Sequence, residues 1–438
     1  MFRQVCFVVV GTVLIVGIGC RPAVREARDE SQADASSDPQ RKKPKEIENF
    51  RAKPSAPSPA VEPKNSGQEA QSREPKDGGM KPAPSTAFGR GSSGRKAMLA
   101  GRGGTRRVDQ VVNAALVWLA NHQSPDGSWS LHDYAKQCTD KTCTGHSDLS
   151  SDAGATALGL LPFLAAGQTH RSKGRYQNHI GRGIQWLIAH QQADGNLAKG
   201  STKMMYGHGL AAMALAEAYG LSGDKRLADA AQAAVNFIVA AQNTQDGGWG
   251  YSPKEPGNTS VFGWQLLALT SAKMAGLQVD RSVITRAGKY LDSAAVRDGA
   301  EYAYRRGFGS SASMTAVGLL CRQYLGARRD NPMLSGGEKY LLNHLPNEHS
   351  PNVCYCYYAQ HFMHNMSGYE WDTWNRVTRD LLVRTQIRDT NSCADGSWDP
   401  AKDAWGTQGG RLMKTSLSVL PLQVYYHGYL PLYKPLDW

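Results

Sequence analysis

The sequence predicts an all-α fold in which about six helical hairpins close into a ring around a central cavity, with a disordered tether in front. Three observations carry that expectation. The element W-L-A-N-H-Q-S-P-D-G-S-W, from Trp118 to Trp129, recurs downstream in phase. Each copy is followed by a segment of Ala, Leu, Met and Gly that is apolar on nearly every side. Between Arg21 and about Arg106, by contrast, large apolar residues are almost absent.

The first element, residues 1–19, reads as a signal segment. Its one basic residue, Arg3, precedes an apolar run from Val5 to Ile18, short beside the roughly 20 residues of a membrane span. Gly17-Ile18-Gly19-Cys20 resembles the lipobox of bacterial lipoproteins, which implies cleavage before Cys20 and acylation of its thiol. Gly17 stands where the lipobox has leucine, and an uncleaved anchor is the other reading. Both readings place the rest of the chain outside the cytoplasm, in a bacterial cell envelope.

Residues 20–106 form the second element, a linker of Pro, Ser, Gly, Ala and charged residues that cannot bury enough surface to offset the entropy of ordering. Its clusters, such as Arg41-Lys42-Lys43-Pro44-Lys45, contribute to the net charge of +12. That charge does not imply nucleic acid. Acidic residues are interspersed, no recognition motif accompanies them, and an anionic lipid or wall polymer suits an exported tether.

Residues 107–438 are the folded part. The second copy of the element is W-L-I-A-H-Q-Q-A-D-G-N-L from Trp186 to Leu197, and the third is F-I-V-A-A-Q-N-T-Q-D-G-G-W from Phe237 to Trp249. Later copies are degenerate. Tyr290-Leu291 is followed by Ala295 where glutamine belongs, and Tyr340-Leu341 by Leu345. Leu381-Leu382 is followed by Gln386 and, after a longer loop, by Asp395-Gly396-Ser397-Trp398. That gives about six units spaced by roughly 50 residues. The apolar segments between them are Asp152 to Ala166, Met204 to Tyr219, Ser260 to Met274, Ser313 to Leu325, Cys354 to Met366 and Leu412 to Tyr426. Segments apolar all round are inner helices, whereas stretches such as Arg226 to Asn243 alternate with charge and face solvent. Helical repeats stack into open solenoids as well as rings. A ring hides the inner helices better.

These residues carry a resemblance. Arg182-Gly183-Ile184-Gln185-Trp186-Leu187 with Gln191 and Gly195 resembles the QW repeat of squalene cyclases and prenyltransferase β subunits. Asp126-Gly127-Ser128-Trp129, Asp246-Gly247-Gly248-Trp249 and Asp395-Gly396-Ser397-Trp398 are similar to its D-G-[SG]-W element. The resemblance spans about Arg107 to Trp438 and implies an α6/α6 toroid whose repeat glutamines and tryptophans are scaffold. The family's chemistry is not carried over with it. The chain has no Asp-x-Asp-Asp of class II cyclases and no Asp-Asp dipeptide. Where a prenyltransferase has its Asp-x-Cys zinc ligands this sequence has Asn258 and Ser260, neither of them a competent ligand. Cys354, Tyr357, Tyr358, His361 and His364 share one helix face, and an aromatic cavity stripe explains them better than a metal. No metal and no cofactor is expected.

Candidate site residues lie at the N-terminal ends of inner helices, where backbone N–H groups favour anions. They are Tyr206, His208, Ser260, Trp264, Tyr358, His361, Arg411 and Lys414 for ligand binding, with Met314 beside them. His208, His361 and Asp152 are the catalytic candidates, and Asp152 reads more simply as an N-cap. Of eight cysteines, Cys138, Cys143 and Cys393 are disulfide candidates, and Cys321 reads as a core thiol. Two functions follow. One is a membrane-anchored binding protein for an apolar or amphipathic, isoprenoid- or lipid-like molecule. The other is a divergent enzyme, acting on an isoprenoid or polysaccharide through His, Tyr and Arg of the inner helices.

Overall fold

The computed structural model describes residues 105–140, 143–425 and 438. The expected signal segment, Cys20 and the expected linker as far as Gly104 lie outside the described residues, as does Tyr426, while Thr105 caps the first helix and Arg106 begins it. The outer helices are α1 (Arg106–Asn121), α3 (Gln177–Ala189), α5 (Ala228–Ala241), α7 (Arg281–Ala294), α9 (Pro332–Leu342) and α11 (Gly368–Thr385). The inner helices are α2 (Asp152–Ala165), α4 (Met204–Ser222), α6 (Thr259–Met274), α8 (Ala312–Tyr324), α10 (Val353–Met366) and α12 (Gly406–Leu422). Each inner helix packs on the next, and α12 packs back on α2, so the ring closes.

Composition decides which layer a helix joins. In α2 every residue from Ala153 to Ala165 is buried, and its Ala and Gly positions let neighbouring helices approach on both sides. In α7 the buried residues Val283, Ile284, Ala287, Tyr290, Leu291 and Ala294 form one stripe, and the remainder meets solvent.

The repeat element is a clasp. Gln123 Nε2 donates to Gly127 O in its own turn (2.8 Å) and to His179 O in the next outer helix (2.9 Å). Gln191 joins Gly195 O and Ala230 O in the same way, and Gln242 joins Gly247 O and Val283 O. The last copy shuts the circle, since Gln386 donates to Gly396 O (2.9 Å) and to Val111 O of α1 (2.8 Å). Trp129, Trp249 and Trp398 are buried, and their indole N–H groups satisfy the carbonyls of Leu119, Ile238 and Leu382 near the ends of their own outer helices. Glycine is required in the turn. Gly195 has φ +90°, and a Cβ there would lie 2.1 Å from Ala233 O of the next outer helix.

Where the clasp degenerates, other contacts take its place. Beyond α7, Ala295–Val296 (β1) pairs antiparallel with Glu301–Tyr302 (β2), and the buried Tyr302 ring lies against Gly318 as Trp129 lies against Gly159. The backbone N–H of Tyr302 donates to Thr315 Oγ1, as that of Trp129 does to Thr156 Oγ1. In the next unit the Tyr355 hydroxyl donates to His344 O (2.8 Å), tying α10 to the end of α9. One inner helix departs from expectation. The last begins at Gly406, not Leu412, because Gly410 breaks it at φ 63° and helical turns lie on both sides of the break.

Candidate active or binding cavity

A cavity of about 140 Å³ lies at the N-terminal ends of the six inner helices, all of which contribute to its wall. Leu158, Leu210, Val317, Met413 and Leu417 make it apolar. Glycine at 154, 207 and 409 lets the wall pack closely, since a Cβ would lie 2.8 Å from Ser151 Oγ at 154, 2.4 Å from the same oxygen at 207 and 2.1 Å from the Met413 methyl at 409. Of the candidates from sequence, Tyr206, Ser260, Trp264, Tyr358 and Met314 line it. Tyr206 Oη donates to Ser260 Oγ (2.6 Å), which donates to Asn258 Oδ1 (2.8 Å). Asn258 Oδ1 also caps α6 through Val261 N–H, so the pair at the prenyltransferase zinc position is a hydrogen-bonded helix cap.

The remaining candidates lie elsewhere. His208 is wholly buried, accepts from Leu197 N–H at Nδ1 (3.2 Å) and donates from Nε2 to Ala234 O (3.0 Å). Burial lowers its pKa to about 4, so it stays neutral and joins the clasp loop to α5. Arg411 is buried at the junction of the last and first hairpins, donating to Thr144 O (2.7 Å) and Ser397 Oγ (3.1 Å). Lys414 makes a buried ion pair with Asp403, whose Oδ2 also accepts from Val353 N–H. Both cations are structural, and the expected anion site at α12 is occupied by the protein's own acceptors. Asp152 is exposed and is the first helical residue, with Ser151 as the N-cap, so the expected capping role is corrected by one position. His361 donates from Nδ1 to Tyr357 O, and His364 meets Trp371 of α11 edge-on at 5.0 Å. With Cys354 and Tyr358 turned to the cavity instead, the α10 face does not gather into a metal site.

Polar lining residues that the sequence reading did not name as candidates include Ser151, Thr202, Lys203 and Gln408, while Cys354, placed in the α10 stripe, does face the cavity. Lys203 is the one charged residue among the described residues that line the cavity, held at φ 48° with its ammonium 4.7 Å from the Tyr251 ring centre. Ser151 Oγ and Tyr358 Oη are buried side-chain atoms without a protein hydrogen-bond partner. Burial raises the Tyr358 pKa well above 10, which keeps its hydroxyl proton available to donate. Among the described residues no carboxylate belongs to the lining. Deeper in the ring, below an aromatic floor where Trp264 stacks on Tyr357 at 5.2 Å, the buried Glu217 accepts from Ser271 Oγ (3.2 Å). Among the described residues one set of metal-ligating side chains comes together, His122 with Cys138, Cys143 and Cys393, and none of these lines the cavity.

Residues 96–203 match the family model described as the squalene-hopene cyclase C-terminal domain. The fold is a squalene-cyclase-like α/α toroid. Among solved structures, an α-1,6-mannanase of Salegentibacter is similar at 10% identity and a TM-score of 0.52, covering 73% of this chain and 98% of the mannanase. A protein described as a novel α-amylase from Clostridium perfringens is similar at 12% identity and a TM-score of 0.50, covering 72% and 98%. A variant of the type II terpene cyclase MstE from Scytonema, in complex with geranylgeranyl dihydroxybenzoate, has 13% identity and a TM-score of 0.47, covering 74% and 98%. No curated protein sequence matches the chain. At these identities the structural likeness concerns the fold.

Proposed function

We propose that this protein is an exported, membrane-anchored toroid that binds one end of an apolar or amphipathic, isoprenoid- or lipid-like molecule in its central cavity. The observation that carries this reading is the pair of buried hydroxyls without protein partners, Ser151 Oγ and Tyr358 Oη, on a mostly apolar wall. A buried hydroxyl left unpaired costs about 1–3 kcal/mol, and a ligand oxygen offsets that cost. The volume limits the guest. About 140 Å³ is close to the roughly 150 Å³ that accommodates one benzene. One ring or a short branched segment fits inside, and the rest of a longer chain extends past Lys203, whose charge favours a carboxylate or phosphate.

The match to a squalene-hopene cyclase domain over residues 96–203 supports an apolar guest. The apolar run and Cys20 support a lipid anchor and an extracytoplasmic location, with no nucleic acid as partner. A polysaccharide-cleaving function has less support, because that chemistry uses two carboxylates flanking the scissile bond and none lines this cavity among the described residues. Native mass spectrometry of the protein extracted from membranes tests the proposal. A co-purifying lipid or isoprenoid that is lost when Leu210→Trp fills the cavity is the expected result. An empty wild-type protein that is not stabilised by isoprenoid alcohols or fatty acids sinks it.

A further inference from the structure

We propose that His122, Cys138, Cys143 and Cys393 bind one zinc ion that staples the first hairpin of the ring to the last. The four ligand atoms lie within 4.8 Å of one another, and His122 Nε2 is 3.4 Å from both Cys143 Sγ and Cys393 Sγ. A tetrahedral zinc with bonds of about 2.3 Å to sulfur and 2.0–2.1 Å to nitrogen separates its ligands by roughly 3.5–3.8 Å. The imidazole already stands at about that spacing from two of the thiols, and no two of the four ligand atoms are more than 4.8 Å apart. Three cysteines and one histidine form a closed structural ligand set, with no position left for substrate.

The surroundings prepare the site. Nδ1 of His122 lies 2.7 Å from Trp118 O, and donation to that carbonyl leaves the Nε2 lone pair facing the thiols. The imidazole is stacked on Trp118 at 4.2 Å and is 1% exposed, and Cys138 and Cys143 are buried. Asp140 holds the two loops together, accepting from Cys393 N–H (2.7 Å) and from Cys138 Sγ (3.2 Å). Three thiolates and Zn²⁺ carry a net charge of −1, and the Arg411 guanidinium bound to Thr144, next to Cys143, supplies an opposing charge. Binding converts three thiols to thiolates and releases three protons to solvent. The ligands come from the end of α1, the loop after it and the loop before α12, so the ion closes the ring where Gln386 also closes it.

The structure holds all three cysteines as free thiols. A disulfide would use two sulfurs and leave the third thiol and the imidazole without a role. The zinc assignment therefore reverses the sequence expectations of a disulfide and of no metal. It is independent of what the cavity binds.

The test uses the full chain purified without chelator. Elemental analysis should give one zinc per chain, and cobalt(II) exchange should give visible absorption with thiolate charge transfer. Cys393→Ser and His122→Ala should lose the metal, whereas Cys354→Ser, in the cavity wall, should keep it. If the ligand variants fail to fold, thiol alkylation of the wild type decides: Cys138, Cys143 and Cys393 should be protected until a strong chelator is added, then react together. A disulfide among the three in intact-mass analysis, or thiols that react equally with and without chelator, would overturn the proposal.

Discussion

Two side chains separate binding from architecture at the level of single residues. Tyr358 has a buried hydroxyl with no protein partner, so Tyr358→Phe removes a group that the empty protein does not satisfy. Its expected effect is a thermal midpoint equal to or above that of the wild type, with affinity for an oxygen-bearing ligand reduced about tenfold, the loss of one hydrogen bond. Calorimetric titration beside a melting curve checks both, and a destabilised variant would make the hydroxyl structural. His208 behaves in the opposite way. Its pKa falls from the ordinary 6.5 to about 4 on burial, so between these values the unfolded chain binds the extra proton. Its contribution to stability is present above about pH 6.5 and is lost progressively towards pH 4, by roughly 3 kcal/mol in all. His208→Gln should therefore differ most from wild type at pH 7, and the gap should shrink as pH falls. Urea unfolding at three pH values measures it, and a constant gap would refute the assignment.

At the scale of the element, the clasp was legible in the sequence because one contact repeats. Gln123, Gln191, Gln242 and Gln386 all span to the next outer helix, and the tryptophans all return to their own. The fourth unit hid its equivalent, Tyr302, behind a hairpin, although T-A-V-G at Thr315–Gly318 repeats T-A-L-G at Thr156–Gly159 and marks the same packing. The cavity was half legible. Polar residues near the starts of inner helices were identified, but nearness to a helix end does not fix which way a side chain points, so Tyr206 and Tyr358 were separated from His208 and Arg411 only by structure. His122 went unseen because it sits inside the repeated clasp element, which reads as scaffold, although Cys138, Cys143 and Cys393 were themselves singled out. The clasps also differ in one testable detail. Arg182 donates to Gln123 Oε1 and Arg286 to Gln242 Oε1, each at 2.8 Å, while Gln386 Oε1 is buried without a partner. Ala114 faces the Gly396 turn as Arg182 faces Gly127 and Arg286 faces Gly247. Ala114→Arg should supply that missing donor and raise stability by about 1 kcal/mol. In a double-mutant cycle, Gln386→Ala should cost more with Arg at 114 than without it, and purely additive effects would discard the pairing.

For the whole molecule, the decisive distinction is between a ring and a stack. A solenoid of helical hairpins is a sum of neighbour contacts, so removing a terminal unit shortens it and leaves the rest folded. Here the last inner helix packs on the first, Gln423 Nε2 donates to Pro162 O of α2 (2.8 Å), and Asp148 N–H donates to Thr407 O (2.8 Å). Removing residues 367–438 would strip α2 and α10 of their shared neighbour and open the cavity wall. Both helices are buried along nearly their whole length, so the truncation would expose surface that the closed ring keeps from water. The truncated chain should therefore aggregate or lose its cooperative thermal transition, as size-exclusion chromatography and calorimetry would record. A soluble five-hairpin protein that still melts cooperatively would mean that the helices stack without needing the closed circle, and that the seam formed by Gln386 and Gln423 joins ends that are stable apart.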